Sequence, residues 1–212
     1  MASAPRVGTK VPKTRERVLD SVERLMLDTG YAGVTYRAVA AKAGVTPSLI
    51  QYYFPTLDEL FVAAIRRRVD DNLDRLVESL QSRADEPLRV LWEFSRDEAT
   101  AALMTEFAAL GNHRKSISAV IGEVTEAVRR VQLDALTTKW GAGGPPDTEL
   151  SPGALLFLIT GIPKMINLES GVGVSTTHAE VVEAFERYLD RVEPQAGSRR
   201  RRATQARRLL RG

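Results

Sequence analysis

Chemistry needs particular side chains at workable spacings, and this sequence lacks most of them. It has no cysteine, which removes disulfides, thiolate metal sites, Fe–S clusters and cysteine nucleophiles together. Its two histidines, His113 and His178, lie 65 positions apart, and a histidine zinc site or relay would need both. No nucleophile–base pair, metal-ligand cluster or glycine-rich phosphate loop stands out. The sequence therefore offers no catalytic residue, cofactor or metal site, and reads as something other than an enzyme. What it offers is a polar set between positions 35 and 53: Thr35, Arg37, Thr46, Pro47, Ser48, Gln51, Tyr52 and Tyr53. Thr35 and Thr46 have the type and place of helix N-caps, and helix N-termini also attract phosphate. Arg37 is a cation facing out of a short helix, either as a solvated surface arginine or as a phosphate contact. Hydroxyls, an amide and a guanidinium are the groups that hydrogen-bond phosphates and base edges.

The elements that would carry these residues are all helical. A first helix opens near Thr14, with Val18, Val22 and Leu25 on one stripe, and ends at Gly30. Thr35 caps a second helix through Ala43, and Gly44-Val45 turns the chain. Thr46 caps a third helix with Pro47 at its first position, and this helix stops before Pro55. A fourth runs from Leu57 to about Leu80, and a fifth from Leu88 to about Leu110. A sixth carries Ile117, Val120, Val124, Val128 and Val131. Residues 141–146, Gly-Ala-Gly-Gly-Pro-Pro, form a loop. Ser151-Pro152 starts another helix, to about Gly171, and Thr177 caps a last one with Val181, Phe185, Tyr188 and Val192 on one face. No strand alternation and no internal repeat is visible.

Length and charge bound the rest. The 212 residues, 43% of them hydrophobic, make one large domain or a small one joined to a medium one. Basic residues near the start are not followed by an apolar h-region, and the longest uncharged apolar stretch, 150–163, is too short to span a bilayer. A cytoplasmic protein without membrane association is expected. Residues 1–68 hold eleven Lys/Arg against six Asp/Glu, residues 69–196 hold twelve against twenty-one, and residues 197–212 hold seven Arg and no acid. A basic head suits a polyanion, and an acidic body would be repelled by one.

Residues 35–54 read helix, glycine turn, helix. Ala38 and Ala41 are small enough for close crossing, and Val45, Leu49 and Ile50 form an apolar face. An ordinary αα-hairpin fits this pattern, and so does a helix-turn-helix whose second helix enters a major groove about 12 Å wide. Residues 14–68 also resemble the DNA-binding domain of the TetR family of transcriptional repressors. The resemblance is carried by Gly30-Tyr31, Gly33-Val34-Thr35, Val39-Ala40, Ala43-Gly44-Val45-Thr46, Tyr53-Phe54-Pro55 and Leu60-Phe61. It implies an all-α fold with a three-helix helix-turn-helix head and a larger helical ligand-binding and dimerisation body. It also implies a homodimer on a palindromic operator in double-stranded DNA, released by a small-molecule effector. Two positions depart from the family pattern: Gln51 stands where a phosphate-contacting tyrosine is usual, and Leu57 where a lysine is usual. Gln51 could instead pair with a base edge, as glutamine does with adenine. Tyr52 and Tyr53 are expected to reach the DNA backbone, Tyr53 also packing against the head, with Phe54 in the core.

The domain plan is a basic arm over 1–13, a head over 14–56, a body over 57–194 and a basic disordered tail over 195–212. Arg6, Lys10 and Lys13 make the arm either a loose terminus or a groove-binding segment. The arginine tail reads as a solvated end, a non-specific DNA tether or a contact for an acidic partner. For a ligand pocket the candidates are Trp92, Phe94, Met104, Phe107, His113, Met165 and Asn167; the bulky ones also read as core, and His113 as a solvated or capping residue. Leu155, Leu158, Ile159, Phe185, Tyr188 and Leu189 are the expected dimer seam, because the last helices hold more apolar surface than one wet side allows. Beside a ligand-released repressor stand two alternatives: a helical enzyme or carrier whose basic head is incidental, and a ligand-independent DNA-binding protein aided by the arginine tail.

Overall fold

The computed structural model describes residues 10–146 and 148–194. The arm residues before 10 and the tail after 194, including the arginine run 199–202, lie outside the described residues. Nine α-helices and one 3-10 turn are described, with no β-strand among the described residues. They are α1 (Lys10–Thr29), a 3-10 turn (Tyr31–Gly33), α2 (Tyr36–Ala43), α3 (Pro47–Tyr53), α4 (Leu57–Ser82), α5 (Pro87–Ser95), α6 (Glu98–His113), α7 (Lys115–Trp140), α8 (Pro152–Ser170) and α9 (His178–Val192). The all-α expectation holds, with local corrections. Helix α1 begins four residues before Thr14, so Lys10 and Lys13 are helical. The single fifth helix is two helices, α5 and α6, interrupted at Arg96-Asp97, where four polar residues in a row, Ser95 to Glu98, supply no apolar stripe. Thr177 makes no side-chain cap to α9 and sits at φ 70.

The described contacts form two compact units: Met1–Asp74 with Glu98–Val128, and Arg75–Asp97 with Arg129–Gly212. In the first unit, Val18, Leu19, Val22 and Met26 of α1 pack with Val39, Ala40, Ala43, Ile50, Phe54, Leu60, Phe61 and Ile65 into one buried cluster. Leu103, Phe107, Leu110 and Ile117 of α6 and α7 complete it. The core of the head expected over 14–56 thus continues into α4, α6 and α7. The small buried residues of α2 are Ala40 and Ala43, whereas Ala41, expected at the helix crossing, is exposed. In the second unit Leu88, Val90, Leu91 and Trp92 of α5 are buried, as are Leu155, Leu156 and Ile159 of α8 and Leu189 of α9. The Glu193 carboxylate accepts from the Leu88 and Arg89 backbone N–H groups at 3.0 and 2.8 Å, capping α5 from the far end of the chain.

Candidate nucleic-acid interface

The chain builds its helix-turn-helix with local hydrogen bonds. Thr35 Oγ1 accepts from the Ala38 N–H at 3.1 Å and starts α2. Gly44 ends α2 in the left-handed region at φ 65, and the Val45 N–H closes on the Ala40 carbonyl at 3.0 Å. Thr46 Oγ1 accepts from the Leu49 N–H at 3.4 Å and starts α3, with Pro47 at the first turn. Ile50 is 0% exposed and Phe54 4%, which fixes the rotation of α3 about its axis. The Tyr36 hydroxyl donates to the Phe54 carbonyl at 2.8 Å and joins the start of α2 to the end of α3.

That rotation turns Pro47, Ser48, Gln51 and Tyr52 to solvent, Tyr52 at 79% exposure. Tyr53 is half-buried against the head, its ring tilted to Phe54 and edge-on to Tyr52. Thr35, Arg37 and Thr46 are also exposed. The eight sequence-derived residues thus fall on one helix-turn-helix, seven of them exposed.

Sequence reasoning missed the residues that hold this motif in place. Arg67 of α4 reaches across α1 to Glu16, Asp20 and Glu23 at 3.1, 2.8 and 2.6 Å. Burial pulls its pKa down, but hydrogen bonds to the three carboxylates, Glu23 foremost, outweigh this and hold it above the ordinary guanidinium value. Arg15 of α1 lies over the Phe54 ring, 5.5 Å from its centroid. Glu106 of α6 accepts from the Tyr31 N–H at 3.0 Å, just past the Gly30 turn. Asp58, in the first turn of α4, accepts from Ser116 at 2.6 Å and pairs with Arg114. These bonds, led by that from Ser116, hold the Asp58 pKa below the ordinary aspartate value. Tyr36 is shifted upward by burial, with Glu59 adding to the shift. The partners lie tens of residues apart, so no local pattern marks them.

The pocket candidates are not gathered in one place. Met104, Phe107 and His113 belong to the first unit, where Phe107 is core and His113 is exposed with its ring 6.0 Å from that of Tyr31. Trp92, Phe94, Met165 and Asn167 belong to the second. There, Phe94 lines a cavity of about 220 Å³ with Arg75, Ser79, Arg83, Val90, Glu93 and Asp97. Trp92 is 2% exposed and stacks on Phe185, and Met165 is 55% exposed. Of the expected seam residues, Leu155, Ile159 and Leu189 are buried inside their own unit, because their faces of α8 and α9 turn to that core. Phe185 and Tyr188 are half-buried in the Trp92 stack, and Leu158 is exposed.

Residues 18–64 match the model of the bacterial regulatory proteins of the tetR family. The HTH-type transcriptional regulator BetI of Rhizobium meliloti (strain 1021) is 26% identical over 132 residues, 62% of this chain and 60% of BetI. The HTH-type transcriptional repressor AcnR of Corynebacterium efficiens is 28% identical over 129 residues, 58% of this chain and 65% of AcnR. The matches thus span less than two thirds of either relative. A protein of Saccharomonospora viridis solved in complex with choline has the same fold, with a TM-score of 0.69 at 19% identity over 84% of this chain and 94% of that one. The helix-turn-helix lies inside the matched segment, so the similarity to the tetR family of bacterial regulatory proteins falls on residues 18–64.

Proposed function

We propose that this chain is a transcriptional repressor that binds a palindromic operator as a homodimer and releases it when a small molecule occupies the second unit. The observation that carries the reading is the exposed polar face of α3, presented by two side-chain caps and the Gly44 turn and backed by Ile50 and Phe54. An exposed polar helix face on a buried apolar back is what a major groove accepts. The tetR match over residues 18–64 supports regulation over catalysis, the name of AcnR supports repression, and the choline-bound neighbour supports a fold that admits a small molecule.

The mechanism is a population shift. An effector changes DNA affinity only by binding the DNA-incompetent arrangement better than the competent one. Helix α4 is the lever in this reading. Within the first unit its start is tied to α7 through Asp58–Ser116 and Arg66–Glu123, and to α1 through Arg67. Movement of α7 would therefore reach α1, against which α2 packs. The test is selection of bound sequences from random duplex DNA by the full-length protein at about 150 mM salt, a condition that suppresses purely electrostatic binding. A recovered palindrome released by a metabolite supports the proposal. Binding that is sequence-blind and vanishes as salt rises would instead favour the ligand-independent reading. A head-to-head distance distribution unchanged by a releasing effector would refute the lever.

A further inference from the structure

The exposed face of α3 carries four side chains, and none is a lysine or arginine. Pro47 offers only an apolar ring. The Ser48 hydroxyl lies 3.1 Å from Thr46 Oγ1 and belongs to the helix cap. Tyr52 rests edge-on against Tyr53, with ring centroids 5.5 Å apart, toward the end of the helix. Gln51 remains. Its amide makes no hydrogen bond to any described residue, and it stands one turn after Pro47 and Ser48 on the same face. The backbone beneath it is fixed by Ile50 on one side and by the Tyr36–Phe54 hydrogen bond on the other.

The chemistry of the four base pairs then decides what such a face can read. Guanine presents two acceptors in the major groove and is matched by a two-donor cation, which α3 lacks. Adenine presents an acceptor beside a donor, which one amide matches with both its atoms. Thymine adds a methyl that an apolar ring can touch. We infer that Gln51 is a specificity-determining residue of α3, reading an adenine in each half-site, with Pro47 and Tyr52 against neighbouring thymine methyls. The inference rests on the reading of α3 as a groove-binding helix.

The experiment uses the full-length protein with Gln51→Ala and Gln51→Arg variants. Each is taken through the random-duplex selection and then through a panel of the enriched duplex changed one base pair at a time. The wild type should enrich a palindrome with an adenine whose replacement by guanine costs roughly tenfold in affinity. Gln51→Ala should bind all four bases at that position about equally and keep its other preferences, with an unchanged thermal midpoint because the side chain is exposed. Gln51→Arg should prefer guanine there. If Gln51→Ala keeps the adenine preference, another group is the reader and the inference fails while sequence-specific binding stands. If the wild type enriches no sequence, the inference and the regulator reading fall together.

Discussion

Arg67 braces the candidate interface from outside its exposed face. It is 15% exposed and answers three carboxylates on one face of α1, of which Glu23 is equally buried. Removing the guanidinium leaves Glu23 half-desolvated with no counter-charge, so Arg67→Ala should destabilise the protein by about 3 kcal/mol, as when one partner of a buried pair is removed. Chemical denaturation measures this, and loss of operator affinity should accompany it because α1 supports α2. Asp58 gives a pH-dependent counterpart. Its folded pKa lies below the ordinary 3.8 through Ser116 and then Arg114. Folding therefore favours the ionised form, a contribution complete above about pH 4 and lost as pH falls through the folded value. Asp58→Asn should lower the thermal midpoint at pH 7 and lose that difference as pH falls through the folded value, so the two melting curves converge in acid. A constant gap across that range would show that the carboxylate charge is not what matters. Neither residue announces itself in the sequence: Arg67 lies 44 to 51 positions from its partners and Asp58 lies 58 from Ser116. Side-chain pairing across such separations is decided by how the helices pack, which single-sequence periodicity does not encode.

At the scale of elements the sequence was most legible where the signal is local. The caps Thr35, Thr46 and Ser151, Pro47 at the start of α3, and the glycine ends at Gly30 and Gly44 all fall where their types predict. Local signals failed where a local cue met a tertiary one. Thr177 stands at the cap position but makes no side-chain cap bond, and the His178 ring pairs with Glu169 at 2.6 Å at the start of α9. The start of α4 is capped by Thr56, which accepts from the Glu59 N–H at 3.1 Å, a residue the helical stripe passed over. The break between α5 and α6 has no proline or glycine to mark it. Gly44 is the turn on which the interface depends, and it isolates conformation from packing. A Cβ there would meet nothing within 4 Å, so the cost of Gly44→Ala is that of placing an L-residue at φ 65. That is about 1 kcal/mol, and denaturation should show it with no change in the fold by circular dichroism. A much larger loss would mean that the turn has a packing partner.

For the molecule as a whole the proposed homodimer requires a surface that could join two copies. The expected seam was drawn from apolar excess, and the excess is real, but half of those residues are buried in their own unit. What α8 leaves outside is a second stripe: Phe157 at 64% exposure, Leu158 at 38%, Met165 at 55% and Leu168 at 57%, followed by Val172 at 77%. Their spacing follows the helical period on the side opposite Leu155, Leu156 and Ile159. Gly161 lies within this stretch with open space around it, which permits close approach by another helix. Sequence periodicity identified α8 as apolar all round but could not say which side its own chain covers. A double substitution on the outer stripe, Phe157→Glu with Leu168→Glu, should therefore turn a dimer into a monomer by light scattering while leaving helical content unchanged. Two linked heads bind a palindrome far more tightly than one, because the second contact is made at high effective concentration. The same variant should lose at least roughly a hundredfold in operator affinity while a single half-site is bound as before. A variant that stays dimeric would move the seam off the outer face of α8. One that becomes monomeric yet binds the full palindrome undiminished would separate dimerisation from DNA binding in this chain.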